Sequence, residues 1–378
     1  MRVIFQRSIF VLLSLAGSLL YAQEVASTPP VGGMRLALPG AKSSLLSIPV
    51  LKAVSAVGRA LKVSEHAVTL SHVSWTVGQY RPTATASYYM EFTTGALAGV
   101  MAKIVDNTAT SLELEPSNYS LLAHPLGRVV TDSYDATFQQ TLFGDLAVIR
   151  PFWTIGEVLG TTAAELQLTA FPSSDAALSL HAGDRIYLPK SGEGSWDQLA
   201  AAPLFYVQGL GWRQTGHATT DRQGEVLRPG QPWLAVRQSL PSSVLVIVGN
   251  IQLTRAATYI PAGTAKGRDI LIASRLSEPV KLSNSGLSSD DPAKRVLTPS
   301  PSLGERVDEY YSFGSQLSTP FLEPSHRYLW VTGQGWQEPG NAQSDIAQTV
   351  DLQPGTGGLL RLRPSSPGGF WLQVPQYK

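Results

Sequence analysis

Hydrophobic and polar residues alternate in many short stretches of this chain, and glycine or proline often follows. Residues 34–38 (MRLAL) alternate before Pro39–Gly40, and residues 100–105 (VMAKIV) alternate before a polar turn. A period of two predicts strands with one buried face. Only residues 48–60 and 152–166 have patterns that suit a helix, and the second suits one or two turns. The pattern predicts an all-β protein of several small antiparallel sheets, barrels or sandwiches.

An internal repeat in the C-terminal half is the most specific feature of the sequence. Residues 206–213 (YVQGLGWR) match residues 330–337 (WVTGQGWQ), at an offset of 124 residues. Upstream, residues 183–186 match residues 304–307, at an offset of 121 residues. The two glycines of each copy permit a tight turn, so each copy predicts a hairpin whose tryptophan begins the return strand. The fold prediction therefore includes an internal duplication.

The first 22 residues have the pattern of a signal peptide. Arg2 and Arg7 form a basic start, residues 8–20 form an apolar stretch, and Ala22 precedes a plausible cleavage site. The apolar stretch is shorter than the roughly 20 residues that span a bilayer as a helix. We therefore expect cleavage, export to the periplasm, cell surface or extracellular space, and no membrane span in the mature chain.

The rest of the sequence divides into a linker and three β segments. A weaker similarity relates residues 38–42 to residues 260–266. The predicted parts are a signal peptide at 1–22, a linker at 23–33, an N-terminal β domain at 34–155, a β unit with the first repeat copy at 156–255, and a β unit with the second copy at 256–378.

Composition excludes several classes of protein. Hydrophobic residues make up 43% of the chain, which suffices for a packed core. Charged residues make up 15%, the net charge is +1 and no basic stripe is present, so nothing favours a nucleic-acid partner. The chain has no cysteine, which excludes disulfides, thiolate metal ligands and cysteine nucleophiles. An exported chain of this kind depends on core packing for its stability.

The tryptophans of the repeat allow two interpretations. Trp212 and Trp336 can pack across the strands as core side chains, which is the interpretation that the pattern favours. Alternatively, they are exposed platforms that bind a sugar or a peptide, with Trp196, Trp233 and Trp330 as further members of the ligand-binding surface. Exposure of Trp212 and Trp336 on one surface would favour the second interpretation.

Motifs of catalysis and cofactor binding are absent from the sequence. It has no His-Glu-x-x-His, no Gly-x-Ser-x-Gly and no phosphate-binding or dinucleotide-binding loop, and no cofactor is predicted. Asp132 and Asp135 form one acidic cluster, and Asp290 and Asp291 form another. Such loop carboxylates can bind a calcium ion, but solvated turn residues have the same pattern. Paired carboxylates on separate strands could serve a glycosidase, although the sequence selects no pair.

Several short motifs besides the two Gly-x-Gly-Trp hairpins lie in a recognisable order along the chain. They are residues 45–49 (LLSIP), Tyr88–Tyr89, residues 149–156 (IRPFWTIG) and the segment around Trp371. In these motifs the chain resembles a family of uncharacterised secreted proteins found mainly in Verrucomicrobia. The resemblance covers most of the mature chain. It implies export and the same order of domains, and it transfers no catalytic residue.

These observations leave three functions open. The first is an exported, non-catalytic envelope or extracellular protein with a structural or adhesive role, which the sparse charge and the missing motifs favour. The second is a carbohydrate-binding module that uses exposed Trp or Tyr side chains. The third is a hydrolase on a β scaffold, which needs a cleft with convergent carboxylates or histidines. The predicted partners are polysaccharides or other envelope proteins.

Overall fold

Strands dominate the structure of this protein. Strands make up 41% of the chain and helices 4%, which confirms the predicted all-β fold with several small antiparallel sheets. The strands at 133–135 and 140–142 are described by their backbone alone. The computed structural model describes residues 30–116, 119–131, 133–135, 140–162, 164–172, 183–189, 202–217, 219–238, 241–292, 295–303, 305, 307–314, 324–340, 346–364 and 366–376.

The elements are short strands, one short α-helix and two single turns of 3-10 helix within these ranges. The first half contains β1 (Val31–Leu38), β2 (Ser43–Leu46), β3 (Ala56–Val63), β4 (Ala67–Ser71), β5 (Tyr88–Phe92), β6 (Met101–Asn107), β7 (Ser111–Leu114), β8 (Ser133–Asp135), β9 (Gln140–Leu142), β10 (Leu146–Pro151), β11 (Trp153–Thr154) and α1 (Ile155–Leu159). The second half contains β12 (Arg185–Tyr187), β13 (Leu204–Val207), β14 (Gly211–Gln214), β15 (Val226–Leu227), β16 (Trp233–Val236), β17 (Ser243–Asn250), β18 (Ala256–Ile260), β19 (Arg268–Ala273), β20 (Val280–Lys281), β21 (Glu309–Ser312), β22 (His326–Val331), β23 (Gly335–Gln337), β24 (Asp351–Leu352), β25 (Gly357–Leu362) and β26 (Gly369–Gln373). The 3-10 turns are Leu282–Asn284 and Ile346–Gln348.

The helix α1 occupies only part of the stretch whose pattern suited a helix. Thr154 caps its first turn: its hydroxyl accepts the Glu157 N–H, and the Glu157 carboxylate accepts the Thr154 N–H at 3.0 Å. The helix ends at Gly160, whose φ of +101° favours glycine. The other stretch with a helical pattern, residues 48–60, contains no helix and leads into β3.

A closed six-stranded barrel is formed by residues of the predicted N-terminal segment. Its strands follow the order β10-β3-β4-β7-β6-β5, and all neighbours are antiparallel. Alternate side chains point inward and fill the barrel, as the period of two predicted. The fully buried members include Ala60, Leu70, Phe92, Ile104 and Ile149.

The strands on either side of the barrel in the sequence come together in a first β unit. Its five-stranded sheet has the order β14-β13-β12-β16-β2, and the pairs β1–β17 and β11–β15 complete the unit. Its core contains Trp212, Trp233 and aliphatic side chains of β1, β2 and β17. Because β1 and β2 precede the barrel and the other strands follow it, the barrel is an insertion in this unit.

A second β unit follows the first in the sequence and has the same strand order. Its sheet has the order β23-β22-β21-β25-β19, and the pairs β18–β26 and β20–β24 complete it. Strand β2 therefore corresponds to β19, β12 to β21, β13 to β22, β14 to β23 and β16 to β25. Both glycine-tryptophan hairpins form as predicted, as β13–β14 and β22–β23.

Equivalent local hydrogen bonds are present within each of the two units. The N–H of Phe171 donates to the carbonyl of Tyr206 at 2.8 Å, and the N–H of Ser300 donates to the carbonyl of Trp330 at 2.7 Å. Each bond belongs to a parallel bridge between an incoming segment and the strand that enters the hairpin. The units therefore agree in their connecting segments as well as in their sheets.

A buried aspartate begins the central strand of each sheet. Asp184 accepts the N–H of Gln238 at 2.6 Å, and Asp308 accepts the N–H of Arg363 at 2.7 Å. The structure thus aligns Asp184 with Asp308, whereas the sequence match placed Asp184 opposite Glu305. That match was three residues out of register, because the shared feature is the buried carboxylate rather than the glycine and arginine beside it.

The two β units face each other through reciprocal contacts. The N–H of Ala273 donates to the carbonyl of Gly230 at 3.1 Å, and the N–H of Ser47, at the corresponding position, donates to the carbonyl of Gly355 at 2.9 Å. Such reciprocity between equivalent positions is typical of a two-fold symmetric interface. An apolar cluster lies between the sheets and contains Leu45, Leu234, Val236, Leu271, Tyr311 and Leu359.

The barrel packs on the second β unit through the pair β18–β26. Ala257 of β18 belongs to the barrel's core cluster, and Phe370 and Leu372 of β26 pack against that cluster. An ion pair between Glu91 of the barrel and Arg275 of the second unit spans this contact at 2.8 Å, with side chains that are 1% and 0% exposed. The contact is therefore an extension of the barrel's core rather than a surface encounter.

Gly99 allows the close approach of the barrel to β18. Its φ is +86°, and a Cβ there would lie 2.2 Å from the Arg255 carbonyl oxygen. Gly333 has a similar φ of +71°, but a Cβ there would have no neighbour within 4 Å. We expect both Gly→Ala substitutions to lower the free energy of unfolding by about 1 kcal/mol through the positive φ. Gly99→Ala should cost a further ~1–3 kcal/mol because backbone must move. Urea unfolding measures both, and equal losses would contradict the close packing.

Candidate ligand-binding cleft

A cleft lies where the barrel, the first β unit and the second β unit meet. Its volume is about 310 Å³. The barrel contributes residues of β5 and β6, the first unit contributes the turn Pro229–Gly230, and the second unit contributes β18 and β19. The insertion of the barrel therefore creates this cleft, because one of its walls belongs to the barrel.

Three charged side chains from distant parts of the sequence meet in the cleft, which we call the charged trio: Lys103, Glu115 and Arg228. Lys103 Nζ lies 3.2 Å from Glu115 Oε1, and Arg228 Nη2 lies 3.2 Å from Glu115 Oε2. Partial burial acts to raise the pKa of Glu115, but the charges of Arg228 and Lys103 outweigh it and hold the pKa below its ordinary value. Glu115 therefore stays ionised at neutral pH, and two basic side chains stand against this one carboxylate.

Aromatic side chains form much of the cleft wall. Tyr119 and Tyr259 are partly exposed there, with ring centroids 5.7 Å apart. Phe152 packs on Tyr89 at 4.7 Å and lies under the guanidinium of Arg228, whose central carbon is 5.9 Å from the ring centroid. Aromatic faces of this kind pack well against sugar rings or apolar groups and attract cations.

Two hydroxyl groups of the cleft have no hydrogen-bond partner within the described part of the chain. They belong to Tyr89, which is 1% exposed, and to Thr258. Burial raises the pKa of Tyr89, so its hydroxyl remains protonated and able to donate. Because an unpartnered buried hydroxyl is costly, both groups are suited to bonds with a ligand or with water.

A second cleft, with a volume of about 430 Å³, lies beside the first. The two share Lys103, Arg228 and Gln231 as lining residues. The second cleft also includes Glu225, whose carboxylate lies 2.9 Å from Arg222 Nη1. The charged trio thus stands between two hollows, and a ligand longer than one hollow would pass over it.

The arrangement is suited to binding rather than to proton transfer. Glu115 is the one carboxylate among the described lining residues of the first cleft, and two cations neutralise it. A general acid needs a raised pKa, which is the opposite of what Glu115 has. Across the described ranges, no group of three or more His, Cys, Asp or Glu side chains is placed to hold a metal ion.

Trp196 lies outside the described residues, and the structure places the other predicted tryptophans mainly in cores. Trp212 and Trp336 are 0% exposed and Trp233 is 1% exposed, so none of them offers a free ring face. Trp212 donates from Nε1 to the carbonyl of Gly160 at 2.8 Å. Trp330 is partly buried, and its ring meets that of Trp336 edge to face at 5.8 Å. This burial favours the packing interpretation of the repeat.

The structure describes the side chains of only one of the two predicted acidic clusters. Asp132 lies outside the described residues, and Asp135 is described by its backbone alone. Asp290 accepts the indole N–H of Trp330 at 2.8 Å. The backbone N–H of Asp291 donates to Ser289 Oγ at 3.1 Å. Asp290 therefore supports the second hairpin, and Asp291 takes part in a local turn at Ser289.

Sequence reasoning did not find the charged trio. Its members come from β6, from the end of β7 and from a turn of the first β unit, and no motif links them. One signal was present: residues 227–230 (LRPG) resemble residues 352–355 (LQPG), and Arg228 in the first turn stands where Gln353 stands in the second. The arginine is present in the turn that lies against the barrel, where it pairs with Glu115, and the other turn has an uncharged glutamine at that position.

None of the helices in the described ranges has the length and hydrophobicity of a membrane span. Comparisons with family models, with curated proteins and with solved structures find no match to this chain. The resemblance to secreted proteins of Verrucomicrobia therefore stays a prediction.

Proposed function

We propose that this chain is an exported, non-catalytic protein of the cell envelope or extracellular space, with a structural or adhesive role. We also propose that it binds its ligand in the first cleft, between the barrel and the two β units. The observation that carries the proposal is the charged trio. Lys103 and Arg228 hold the pKa of Glu115 below its ordinary value in the wall of the cleft, so this carboxylate offers charge and hydrogen bonds and is not suited to act as a general acid. The signal-peptide pattern supports the proposed export.

The proposal includes an internal duplication of the β unit, with the barrel inserted in the first copy. Its support is the shared strand order of the two sheets, the alignment of Asp184 with Asp308 and the reciprocal bonds made at Gly230 and Gly355. The inserted barrel makes the first copy of the unit different from the second. The proposed ligand site lies beside the barrel, which forms one of its walls.

Carbohydrate binding is the second candidate function, and the cleft supports it better than the tryptophans do. Tyr119 and Tyr259 line the cleft and are only partly buried, so their rings can pack on a sugar. Tyr89 and Thr258 offer hydroxyl groups, and Arg228 and Lys103 offer positive charge. This set of groups fits an oligosaccharide that carries carboxylates.

A binding screen tests both proposals. The full chain, expressed with its own N-terminal segment, is titrated by calorimetry with neutral and carboxylate-bearing oligosaccharides. We expect an acidic oligosaccharide to bind, and Arg228→Gln to weaken it about tenfold or more, the effect of losing a charged hydrogen bond. Arg361→Gln is the control, because Arg361 pairs with Asp269 outside the cleft.

Three outcomes would contradict the proposal. Equal affinity of Arg228→Gln and Arg361→Gln for the oligosaccharide would show that the ligand does not bind in the cleft. Equal affinity of the protein for neutral and acidic oligosaccharides would show that the charged trio does not contribute to binding. Release of shortened products during incubation, followed by chromatography, would show that the protein is an enzyme.

A further inference from the structure

An apolar face is exposed on the outer side of the pair β1–β17, which we call the valine face: Gly33, Arg35, Ala37, Val244, Val246 and Val248. Val244, Val246 and Val248 are 41%, 66% and 59% exposed, and they alternate with buried residues of β17. On β1, Gly33 lies beside Val248 and Ala37 beside Val244. Three valines in a row on one exposed strand are unusual for a solvated surface.

In the second β unit, the face equivalent to the valine face belongs to the pair β18–β26. Counted from the ends of the paired strands, Val244 corresponds to Phe370 and Val246 to Leu372. Phe370 and Leu372 pack against the barrel's core cluster, and the Phe370 ring lies 5.2 Å from that of Tyr119. The same face of the repeated unit is thus covered by the barrel in one copy, whereas it is open in the other.

The valine face has a raised row on one strand and two low positions on the other. Strand β17 carries the three valines, whereas β1 carries Gly33 and Ala37 on either side of the longer Arg35. A Cβ placed on Gly33 would meet no atom within 4 Å, so there is open space above β1. If two such faces meet around a two-fold axis, the valines of each copy fill the space above β1 of the other.

The charges beside the valine face are complementary as well. Arg35 is the one charged residue of the face and is exposed on β1. On the far side of β17, Val246 borders a groove that contains Glu165 and also Glu157, whose carboxylate pairs with Lys52. A two-fold arrangement that places β1 over β17 brings Arg35 of each copy toward the acidic groove of the other, which favours this orientation.

We infer that the protein forms a homodimer in which the valine faces of two copies pack against each other. The internal pseudo-symmetry provides the model for this contact, since each repeated unit then has an apolar cover over its outer β pair. The barrel supplies that cover in the second unit, and a second chain supplies it in the first.

Sedimentation velocity over a range of protein concentrations tests the dimer. The full chain, expressed with its own N-terminal segment, should sediment as a dimer at micromolar concentration. Val246→Lys should weaken the dimer at least about 100-fold, because a symmetric interface would bury two added charges, each beside Arg35 of its own β1. Val77→Lys is the matched control: Val77 is 69% exposed, lies away from the valine face, and should leave the dimer unchanged.

Circular dichroism and thermal unfolding will test whether both variants are folded. A second variant, Arg35→Glu, should weaken the dimer, and Arg35→Glu with Glu165→Arg should recover part of the loss. A monomer at every concentration would overturn the inference and would leave the valine face for a different partner. A dimer that persists in Val246→Lys would overturn it as well.

Discussion

Arg275→Met is expected to lower the free energy of unfolding by about 3–5 kcal/mol, the cost of leaving a buried charge without its partner. Arg275 is fully buried and donates to the Glu91 carboxylate at 2.8 Å and to the carbonyl of Gly99 at 2.7 Å. Without the guanidinium, the Glu91 carboxylate keeps, among the described residues, the hydrogen bond from the Gln252 amide at 3.0 Å. The loss should be seen in guanidinium chloride unfolding as a lower midpoint.

Two further variants test whether the loss of stability in Arg275→Met comes from the buried ion pair. Arg361→Met removes a cation whose bridge to Asp269 is half-exposed, at 41% and 27%, so we expect a loss of only ~0–1 kcal/mol. Glu91→Leu with Arg275→Met removes both buried charges and should recover part of the stability lost by the single variant. Similar losses for Arg275→Met and Arg361→Met would mean that the pair is hydrated rather than buried.

Trp336→Ala is expected to cost about 3–5 kcal/mol of stability, as large-to-small substitutions of buried aromatic residues do. Trp336 is 0% exposed and lies in the core of the second β unit with Tyr310 and Leu360. Trp212→Ala should have a similar effect, because Trp212 occupies the corresponding position in the first unit. The change is measured by chemical unfolding followed by circular dichroism.

Trp330→Ala is the matched control for these substitutions, since Trp330 is a partly buried neighbour of Trp336. We expect a smaller loss there, made up of its edge-to-face contact and its bond to Asp290. Trp336→Phe should restore much of the stability that Trp336→Ala loses. If Trp336→Ala kept its stability but lost affinity for an oligosaccharide, the ring would be a ligand platform and the packing interpretation would fail.

The strands and the two hairpins could be predicted from the sequence because their determinants are local. The period of two fixes which side chains face inward, and the glycines of the hairpins adopt positive φ in both copies: +77° and +87° at Gly209 and Gly211, and +71° and +79° at Gly333 and Gly335. The short length of α1 agrees with the one or two turns predicted within residues 152–166, whereas residues 48–60, whose pattern also suited a helix, contain none. Local sequence therefore determined the strands and hairpins, and the helical pattern was the less reliable signal.

The insertion of the barrel and the cleft could not be predicted, because both depend on contacts between distant residues. Nothing in the sequence of β1 and β2 indicates that their partners, β17 and β16, lie beyond the barrel. The charged trio depends on that insertion, since Arg228 reaches Glu115 only when the turn of the first unit lies against the barrel. Strand β1 begins at Val31 and pairs with β17, so the strands of residues 34–155 are divided between the first β unit and the barrel.

The pairing of β1 with β17 has a consequence for the order in which the chain can fold. The barrel has all its strands once Pro151 has been synthesised, whereas Leu38 must wait for Ser243 before it finds its partner. Closing so long a loop is slow, because its entropy cost precedes the contacts that reward it. We therefore expect the barrel to be the early folding nucleus, and the first β unit, whose ends lie on both sides of it, to close last around a part that is already rigid.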